Sequence, residues 1–334
     1  MLSGGGHHKV NFCDVISVEN LLAAWKEFRR GKRRKRDVAE FELRLEENLF
    51  ALHQELVSGV WRPDAYTAFY VQDPKLRLIH KASVRDRILY QAVYRSLYLL
   101  FDEGFIHDSY SSRNGKGTHR GVKRFEMFAR KVTGNYRTEG FTLKCDIRKF
   151  FDSIDHEILL SLIAQKVFDP KLFELIKKII VSFETAKGKG LPLGNVTSQL
   201  FANVYLNELD QFAKHALKAR YYVRYCDDFV ILDGCYIRLE ECVARLQVFL
   251  MEKLALELHP RKVEIRNLRH GVDFLGYVSL PHYLVLRTRT KRRMLARVNP
   301  KSLASYLGVL SHCKNAQLKN MILKICPQGA SIKE

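Results

Sequence analysis

The chain has 334 residues, 47% of them hydrophobic and 11% aromatic, so it can bury a large core and its composition excludes a disordered protein. Lysine and arginine total 56 against 36 acidic residues, a net charge of +20, which favours a polyanionic partner such as nucleic acid. No apolar run approaches the roughly 20 residues that a membrane-spanning helix needs. The N-terminus has no signal-peptide core. We therefore expect a soluble, cytoplasmic protein without a membrane partner.

The N-terminal part of the chain is predicted to be helical. Apolar residues recur at three- and four-residue spacing over 18–28 and again over 38–56. Between these segments, seven of the eight residues of 29–36 are basic. So dense a run repels itself unless it meets phosphates, although an ordinary charged loop remains the alternative. The candidate nucleic-acid ligands in this run are Arg33, Arg34 and Arg36.

Residues 68–82 are strand-like, with Asp73-Pro74 as a turn, and 84–101 form a long amphipathic helical pattern. The glycine-rich segment 110–119 then leads into another helix. It can present backbone amides, Arg113 and Lys116 to phosphate, but it lacks the spacing of a nucleotide-binding P-loop. A simple helix-capping turn is the alternative reading of this segment.

Three aspartates stand out for their positions. Asp146 lies on an alternating segment, 141–147, with the apolar side chains on the other face. Asp227 and Asp228 lie between two apolar runs, at the tip of a predicted hairpin. Adjacent carboxylates in that position can hold a divalent cation, a hard ion that prefers oxygen ligands, although aspartate is also common in ordinary turns.

The remaining elements are predicted from the same periodicities. Ser198 is expected to cap a helix over 199–218, and another helix covers 239–254. A second hairpin is expected over 263–286, followed by a basic, helical tail from Arg289.

The order of several motifs resembles that of reverse transcriptases over about residues 40–285. Three segments resemble the first, second and third palm motifs of that family, in this order: Asp146-Ile147-Arg148-Lys149-Phe150-Phe151-Asp152-Ser153-Ile154, Leu193-Gly194-Asn195-Val196-Thr197-Ser198-Gln199 and Tyr225-Cys226-Asp227-Asp228. Further matches are Arg77-Leu78-Ile79 with Val84-Arg85-Asp86-Arg87, Leu258-His259-Pro260-Arg261-Lys262, and Phe274-Leu275-Gly276-Tyr277 at the primer grip.

This resemblance implies an α/β (α+β) right-hand polymerase with an antiparallel-sheet palm, helical fingers and a short helical thumb. The expected domains are an N-terminal extension with the fingers over 1–139, the palm over 140–283, and the thumb over 284–334. A fingers insertion is expected at about 157–190.

The resemblance also implies RNA-templated DNA synthesis by two-metal nucleotidyl transfer. In such chemistry two ions lie about 3.5–4 Å apart and stabilise the attacking and leaving oxygens. Asp146, Asp227 and Asp228 would hold two Mg²⁺ ions, for which Mn²⁺ can substitute, with help from the backbone carbonyl of Ile147. Lys262 resembles the lysine that protonates the leaving pyrophosphate, with a plain surface lysine as the alternative.

The nucleotide site is also implied by resemblance, with dNTPs as substrates. Arg77 resembles the fingers arginine that holds the triphosphate, and a guanidinium suits phosphate oxygens. Lys75 would assist it, unless it is only a solvated strand-edge lysine. Phe151 falls where the family has its steric gate against a ribose 2′-hydroxyl, while two core aromatics at 150 and 151 are the alternative.

The second palm motif departs from the family norm, which is Gln-Gly followed by Ser-Pro. Leu193-Gly194 with Ser198-Gln199 resembles the reverse transcriptases of bacterial and phage diversity-generating retroelements. Gly194 lets the backbone approach the nascent base pair, whereas Leu193 offers shape but no hydrogen bond. Error-prone copying is therefore expected, particularly opposite template adenine, as the resemblance implies.

The expected partners are template RNA and the RNA/cDNA duplex, with a small helical accessory protein or a structured non-coding RNA. Arg292 and Arg293 in the basic tail would track the duplex through phosphate contacts. Three rival functions remain open: a defence-associated (anti-phage) reverse transcriptase, an RNA-templated RNA polymerase, and a non-catalytic RNA-binding scaffold.

Overall fold

The computed structural model describes residues 10–72 and 76–326. The predicted turn at Asp73-Pro74 and the candidate triphosphate ligand Lys75 lie outside these ranges. No helix in the described ranges is both long enough and apolar enough to cross a membrane.

The elements alternate between helices and short strands. The helices in the described segments are α1 (Phe12–Ile16), α2 (Val18–Phe28), α3 (Arg36–Leu43), α4 (Leu45–Val57), α5 (Val84–Asp102), α6 (Thr118–Val132), α7 (Phe150–Ser153), α8 (His156–Ala164), α9 (Pro170–Val181), α10 (Val196–Gln211), α11 (Tyr236–Leu254), α12 (Thr288–Arg297), α13 (Pro300–Leu310) and α14 (Ala316–Ile325). The strands are β1 (Thr67–Gln72), β2 (Leu76–Lys81), β3 (Phe141–Asp146), β4 (Tyr221–Tyr225), β5 (Asp228–Asp233), β6 (Glu264–Asn267), β7 (Val272–Phe274), β8 (Tyr277–Leu280) and β9 (Tyr283–Leu286).

The chain forms two compact units, each built from separate stretches of sequence. The first unit comprises Met1–Ile106, Ile147–Gln211 and Val248–Glu257, and the second comprises His107–Asp146, Phe212–Gln247 and Leu258–Glu334. The division of the sequence into fingers, palm and thumb stays a prediction.

The first unit is mainly helical. Helix α5 is its centre, because α2 and α10 both pack on it and many of its side chains are buried. Ser83 begins α5 as its N-cap, accepting a hydrogen bond from the backbone N–H of Asp86. The antiparallel ribbon β1–β2 projects largely exposed side chains, with Phe69 paired to Ile79.

The second unit is built on an antiparallel sheet with strand order β4-β5-β3-β6. On one sheet face Val223 and Val230 pack with Phe125 and Phe128 of α6. Phe274 of β7 joins the same core, and β7-β8-β9 form a separate three-stranded sheet. A second hydrophobic core contains Tyr277, Leu286 and Met294 together with buried residues of α13 and α14.

Several predicted elements need correction. The segment 38–56 is two helices, because Arg44 leaves the helical backbone at φ −124° and ψ 45°. Helix α10 begins at Val196, so Ser198 is a buried residue inside the helix rather than its cap. The prediction of a second hairpin over 263–286 is wrong for the start of that segment, because β6 pairs with β3. In the rest of the segment, β7, β8 and β9 are consecutive antiparallel neighbours.

Candidate active site

The Tyr225-Cys226-Asp227-Asp228 segment forms a tight turn between β4 and β5. Tyr225 pairs with Asp228, which leaves Cys226 and Asp227 as the turn residues. Cys226 has a φ of +56°, a left-handed conformation that non-glycine residues seldom adopt. Arg224 is fully buried, and its Nη1 donates a hydrogen bond of 3.2 Å to the carbonyl oxygen of Cys226. A buried guanidinium thus supports the turn that carries Asp227.

Strand pairing brings Asp146 to the same place. Asp146 is the last residue of β3 and is paired directly with Asp228, the first residue of β5. Side chains of directly paired residues lie on the same sheet face with Cβ atoms about 4.5–5.5 Å apart. The sheet therefore gathers Asp146, Asp227 and Asp228, which we name the acidic cluster. Ile147, the fourth predicted metal ligand, is the next residue in the chain and has a buried side chain.

The acidic cluster is electrostatically unfavourable by itself. Burial raises the pKa of Asp228 to about 7, and the other aspartates add to the rise. Burial, with the Asp146 carboxylate as the second cause, raises the pKa of Asp227. In the described part of the chain, Asp228 Oδ1 is buried and has no hydrogen-bond partner. Such a cluster is stabilised by protons or by a cation.

Lys262 supplies one positive charge to the cluster. Its Nζ lies 2.7 Å from Asp146 Oδ1. The approach is fixed by the backbone, since His259 N–H donates to the Asp146 carbonyl at 2.7 Å and Lys262 N–H donates to the His259 carbonyl at 3.0 Å. The structure thus brings together the four predicted catalytic side chains, in the second unit.

The chemistry of these donors fits a divalent cation, although the geometry is not closed around one. Within residues 10–72 and 76–326, no three His, Cys, Asp or Glu side chains form a ready-made metal cage. The Lys262 ammonium occupies one Asp146 oxygen, and Asp228 keeps a buried oxygen without a partner. Carboxylate oxygens are the ligands that Mg²⁺ and Mn²⁺ prefer, so the residues present suit such an ion.

A cavity of about 770 Å³ lies within the first unit. Arg77, Leu193 and His80 line it, together with Arg148 and Lys149, which directly follow Ile147. With Lys189, the cavity combines four lysine and arginine side chains with apolar surface, a combination suited to a phosphorylated ligand with a planar base.

The second palm motif lies against β2 in this unit. The backbone N–H of His80 donates to the Leu193 carbonyl at 3.4 Å. Gly194 has a φ of +115°, and a Cβ built there would lie 3.2 Å from Ile79 Cγ2. A side chain at 194 is therefore opposed by both the backbone conformation and the contact. Gln199 is exposed on α10 and is not among the residues that line the cavity.

The two aromatic residues after Lys149 have different surroundings. Both lie on the short helix α7. Phe150 is buried in the core, whereas Phe151 is half-buried, and their ring centroids are 5.3 Å apart. Asp152 and Ser153, which follow on the same helix, line the cavity. Of these two aromatic side chains, therefore, only Phe150 is a core residue.

The primer-grip candidates form the turn between β7 and β8. Phe274 is buried, while Leu275 and Gly276 have φ values of +51° and +86°. The Gly276 carbonyl accepts a 3.1 Å hydrogen bond from the Arg287 N–H.

The candidate nucleic-acid ligands have mixed environments. Arg113 Nη1 donates to the Ser109 carbonyl at 3.2 Å, and Lys116 Nζ donates to the His107 carbonyl at 2.8 Å, so both stabilise their own loop. The other candidates are solvent-exposed to differing degrees. Arg33, Arg34, Arg36 and Arg292 are exposed, and Arg293 is half-buried.

Arg224 and Lys144 are two residues near the acidic cluster that the sequence did not single out. Arg224 interrupts the apolar β4 one residue before the predicted turn, and Lys144 precedes Asp146 by two residues on β3. A cation inside a predicted buried strand beside an acidic motif was the available signal, because a buried charge is uncommon without a partner.

The metal-free protein is expected to lose stability as pH rises from about 4 to 7. The raised pKa of Asp228 means that the folded state keeps a proton that the unfolded chain releases in this pH window. The free energy of unfolding therefore falls as the pH rises. The full effect is at most roughly 4 kcal/mol. Thermal unfolding in EDTA should show Asp228→Asn with a higher Tm at pH 8 and a flatter pH dependence. If Tm depends on pH as steeply in Asp228→Asn as in the wild type, Asp228 is not the group that causes the pH dependence.

These features agree with comparisons to known proteins. The family described as "Reverse transcriptase (RNA-dependent DNA polymerase)" matches residues 72–279. The chain belongs to the reverse transcriptase family. Its acidic cluster and its second palm motif both fall inside the matched region, which confirms the predicted RNA-directed DNA polymerase class.

Curated relatives of this reverse transcriptase differ in length. Protein YkfC of Escherichia coli strain K12 is 26% identical over 277 residues, covering 71% of this chain and 72% of YkfC. The group II intron-encoded protein LtrA of Lactococcus lactis subsp. cremoris is 25% identical over 304 residues, covering 70% of this chain and 49% of LtrA. The chain thus spans about half the length of LtrA.

Solved structures share the fold. One is a telomerase from Candida albicans in complex with the TWJ fragment of telomeric RNA. Its TM-score is 0.53 at 12% identity, and the match covers 79% of this chain and 54% of the telomerase chain. The apo telomerase from Candida tropicalis has a TM-score of 0.53 at 13% identity, and the match covers 79% of this chain and 57% of the telomerase chain. These similarities confirm the predicted mixed helix-and-strand polymerase fold with antiparallel sheets.

Proposed function

We propose that this reverse transcriptase copies RNA into DNA by two-metal nucleotidyl transfer at the acidic cluster. The observation that carries the proposal is the direct pairing of Asp146 with Asp228 beside the Asp227 turn. Two bound Mg²⁺ ions would supply Lewis-acid stabilisation of the attacking and leaving oxygens. Asp146, Asp227 and Asp228, with the Ile147 carbonyl, are the groups that would hold them.

Lys262 has a separate proposed role as a proton donor. The short contact with Asp146 keeps its ammonium beside the acidic cluster. From this position the Lys262 ammonium would donate its proton to a leaving phosphate oxygen. General acids of this kind must come within hydrogen-bond reach of the atom that they protonate.

The incoming dNTP is proposed to use the cationic residues of the cavity in the first unit. Arg77 would contact the triphosphate, and its guanidinium can form paired hydrogen bonds to phosphate oxygens. Phe151 would act as the steric gate, which favours deoxynucleotides over ribonucleotides and disfavours the RNA polymerase alternative.

Template RNA and the RNA/cDNA duplex are the proposed nucleic-acid partners. The net charge of +20 and the exposed Arg33, Arg34 and Arg292 favour phosphate contacts, which are salt-sensitive and do not read sequence. The Phe274-Leu275-Gly276 turn would support the primer end.

The finer proposal is error-prone copying in a diversity-generating retroelement. Leu193 is the supporting observation, because it lines the cavity with an aliphatic group that cannot hydrogen-bond a base or sugar. Gly194 beside it holds a conformation that other residues resist. A dedicated template RNA and a small helical accessory protein are the proposed partners, while a structured non-coding RNA fits the defence alternative.

Replacing Leu193 by Gln should restore an amide to the cavity and lower the misincorporation rate opposite template adenine. The expected gain corresponds to one hydrogen bond, about 0.5–1.5 kcal/mol, or roughly two- to tenfold in fidelity. Sequencing of cDNA from matched primer-extension reactions measures it. Leu191→Gln, a buried neighbour in the same cavity lining, is the control. An unchanged error spectrum in the Leu193 variant would remove the explanation.

The same cDNA sequencing separates the two biological roles. Purified wild-type protein with its co-purifying RNA should give errors concentrated at template adenines if it serves mutagenesis. Faithful or repetitive cDNA would favour the defence alternative, and absence of any DNA product would favour the RNA-binding scaffold.

A further inference from the structure

Lys144 lies beside the acidic cluster but is not one of the proposed metal ligands. It precedes Asp146 by two residues on β3, so its side chain is on the same sheet face. Asp146 pairs with Asp228, which makes Lys144 a diagonal neighbour of Asp228, within reach of a long side chain. The Lys144 ammonium opposes the rise that burial causes in the pKa of Asp228.

The other contact of Lys144 is with the hairpin that carries the primer-grip turn. Lys144 Nζ donates a 2.8 Å hydrogen bond to the Asp273 carbonyl oxygen. Asp273 is on β7, immediately before Phe274. Its carboxylate forms an ion pair with Arg287, whose N–H donates to the Gly276 carbonyl on the far side of the same turn.

These contacts form one continuous polar connection inside the second unit. It runs from Lys144, on the strand that ends at Asp146, to the backbone of β7, and from the Asp273 carboxylate to Arg287, the residue before α12. The connection through Lys144 ends on a backbone carbonyl, so it fixes the position of the strand itself rather than that of a mobile side chain.

We propose that Lys144 is a positioning residue that sets the distance between the acidic cluster and the primer-grip hairpin, and thereby the placement of the primer 3′-hydroxyl. This inference rests on the proposed polymerase function. Without the lysine, the hairpin loses its hydrogen bond to β3 and can shift relative to the acids. A displacement of about 1 Å can slow a reaction by about 100-fold, while nucleotide binding elsewhere is left intact.

The test is single-turnover addition of one dNTP to a DNA primer annealed to an RNA template at saturating Mg²⁺. Lys144→Met keeps the length of the side chain but can neither donate nor carry charge. The rate constant at saturating dNTP should fall about tenfold or more, with the dNTP Kd unchanged within about twofold. Lys144→Arg should recover most of the rate. Arg266→Met, which removes a cation from neighbouring β6 whose partner is Glu264, is the matched control and should behave as wild type.

The burst amplitude, measured with primer–template in excess over the protein, distinguishes positioning from a merely structural role. A normal rate constant with a smaller amplitude reports fewer folded molecules and overturns the proposal, as does an unchanged rate and amplitude. If Lys144→Met does not fold, Lys144→Gln, which is too short to bridge to β7, provides the same comparison. If the wild-type protein extends no primer, the proposed polymerase function has failed and not this inference alone.

Discussion

Replacing Asp227 by Asn should abolish DNA synthesis while leaving the fold intact. Asn keeps the size of the side chain but removes the charge that would hold a metal ion at the turn between β4 and β5. Metal stabilisation of charge in the transition state is worth several kcal/mol, so primer extension should fall by about 10³-fold or more. Gel-based extension on an RNA template with dNTPs and Mg²⁺ measures the loss.

A stability measurement makes this result interpretable. The pKa of Asp227 is raised by burial and by Asp146, so the ionised carboxylate is unfavourable in the metal-free protein. Asp227→Asn should therefore keep or increase the Tm in EDTA, and should lose much of the Tm increase that Mg²⁺ gives the wild type. A variant that unfolds would show that the turn needs the carboxylate for structure.

Asp233→Asn is the matched control at the opposite end of β5. Asp233 accepts a hydrogen bond from the Cys235 N–H and lies 3.3 Å from Arg238, so it stabilises the start of α11 locally. It is paired with Phe141 and not with any member of the acidic cluster. This variant should retain primer extension. If Asp227→Asn retains it as well, the acidic cluster is not the catalytic centre and a non-catalytic RNA-binding role becomes the better account.

The convergence of the acids was predictable because it depends on two local patterns. Alternation over 141–147 fixed the face of Asp146, and the apolar runs around Asp227 and Asp228 fixed the turn. What the patterns could not give is which strands pair. The resemblance to reverse transcriptases supplied that step, and the pairing of β3 with β5 agrees with it.

Other features were missed because they depend on contacts between distant segments. Strand β6 pairs with β3, far earlier in the chain, and nothing in its own sequence distinguishes this from a local hairpin. Ser198 is a good N-cap residue by type, but α10 begins two residues earlier, at Val196, and Ser198 is buried inside its first turn. The supporting contact from Arg224 to Cys226 likewise requires knowing that the turn has a left-handed residue.

Phe151 offers the second large effect, on sugar selection. Phe150 is packed in the core and Phe151 is half-buried on the same short helix, so only Phe151 has surface available to a substrate. A ring that forces a ribose 2′-hydroxyl into overlap costs about 1–3 kcal/mol, as overpacking does elsewhere. Phe151→Ala should therefore reduce the preference for dNTP over rNTP by about 5- to 150-fold.

The ratio of kcat/KM for dCTP and CTP on one RNA template measures this preference, and it is insensitive to the fraction of active enzyme. Phe150→Leu provides the control. Removing part of a buried ring should lower stability by a few kcal/mol but leave the sugar preference unchanged, because Phe150 is enclosed by the core. If the two variants shift the ratio equally, selection reflects general loosening of α7. A shift in Phe151→Ala alone assigns the gate to that ring and separates DNA synthesis from RNA synthesis at a single side chain.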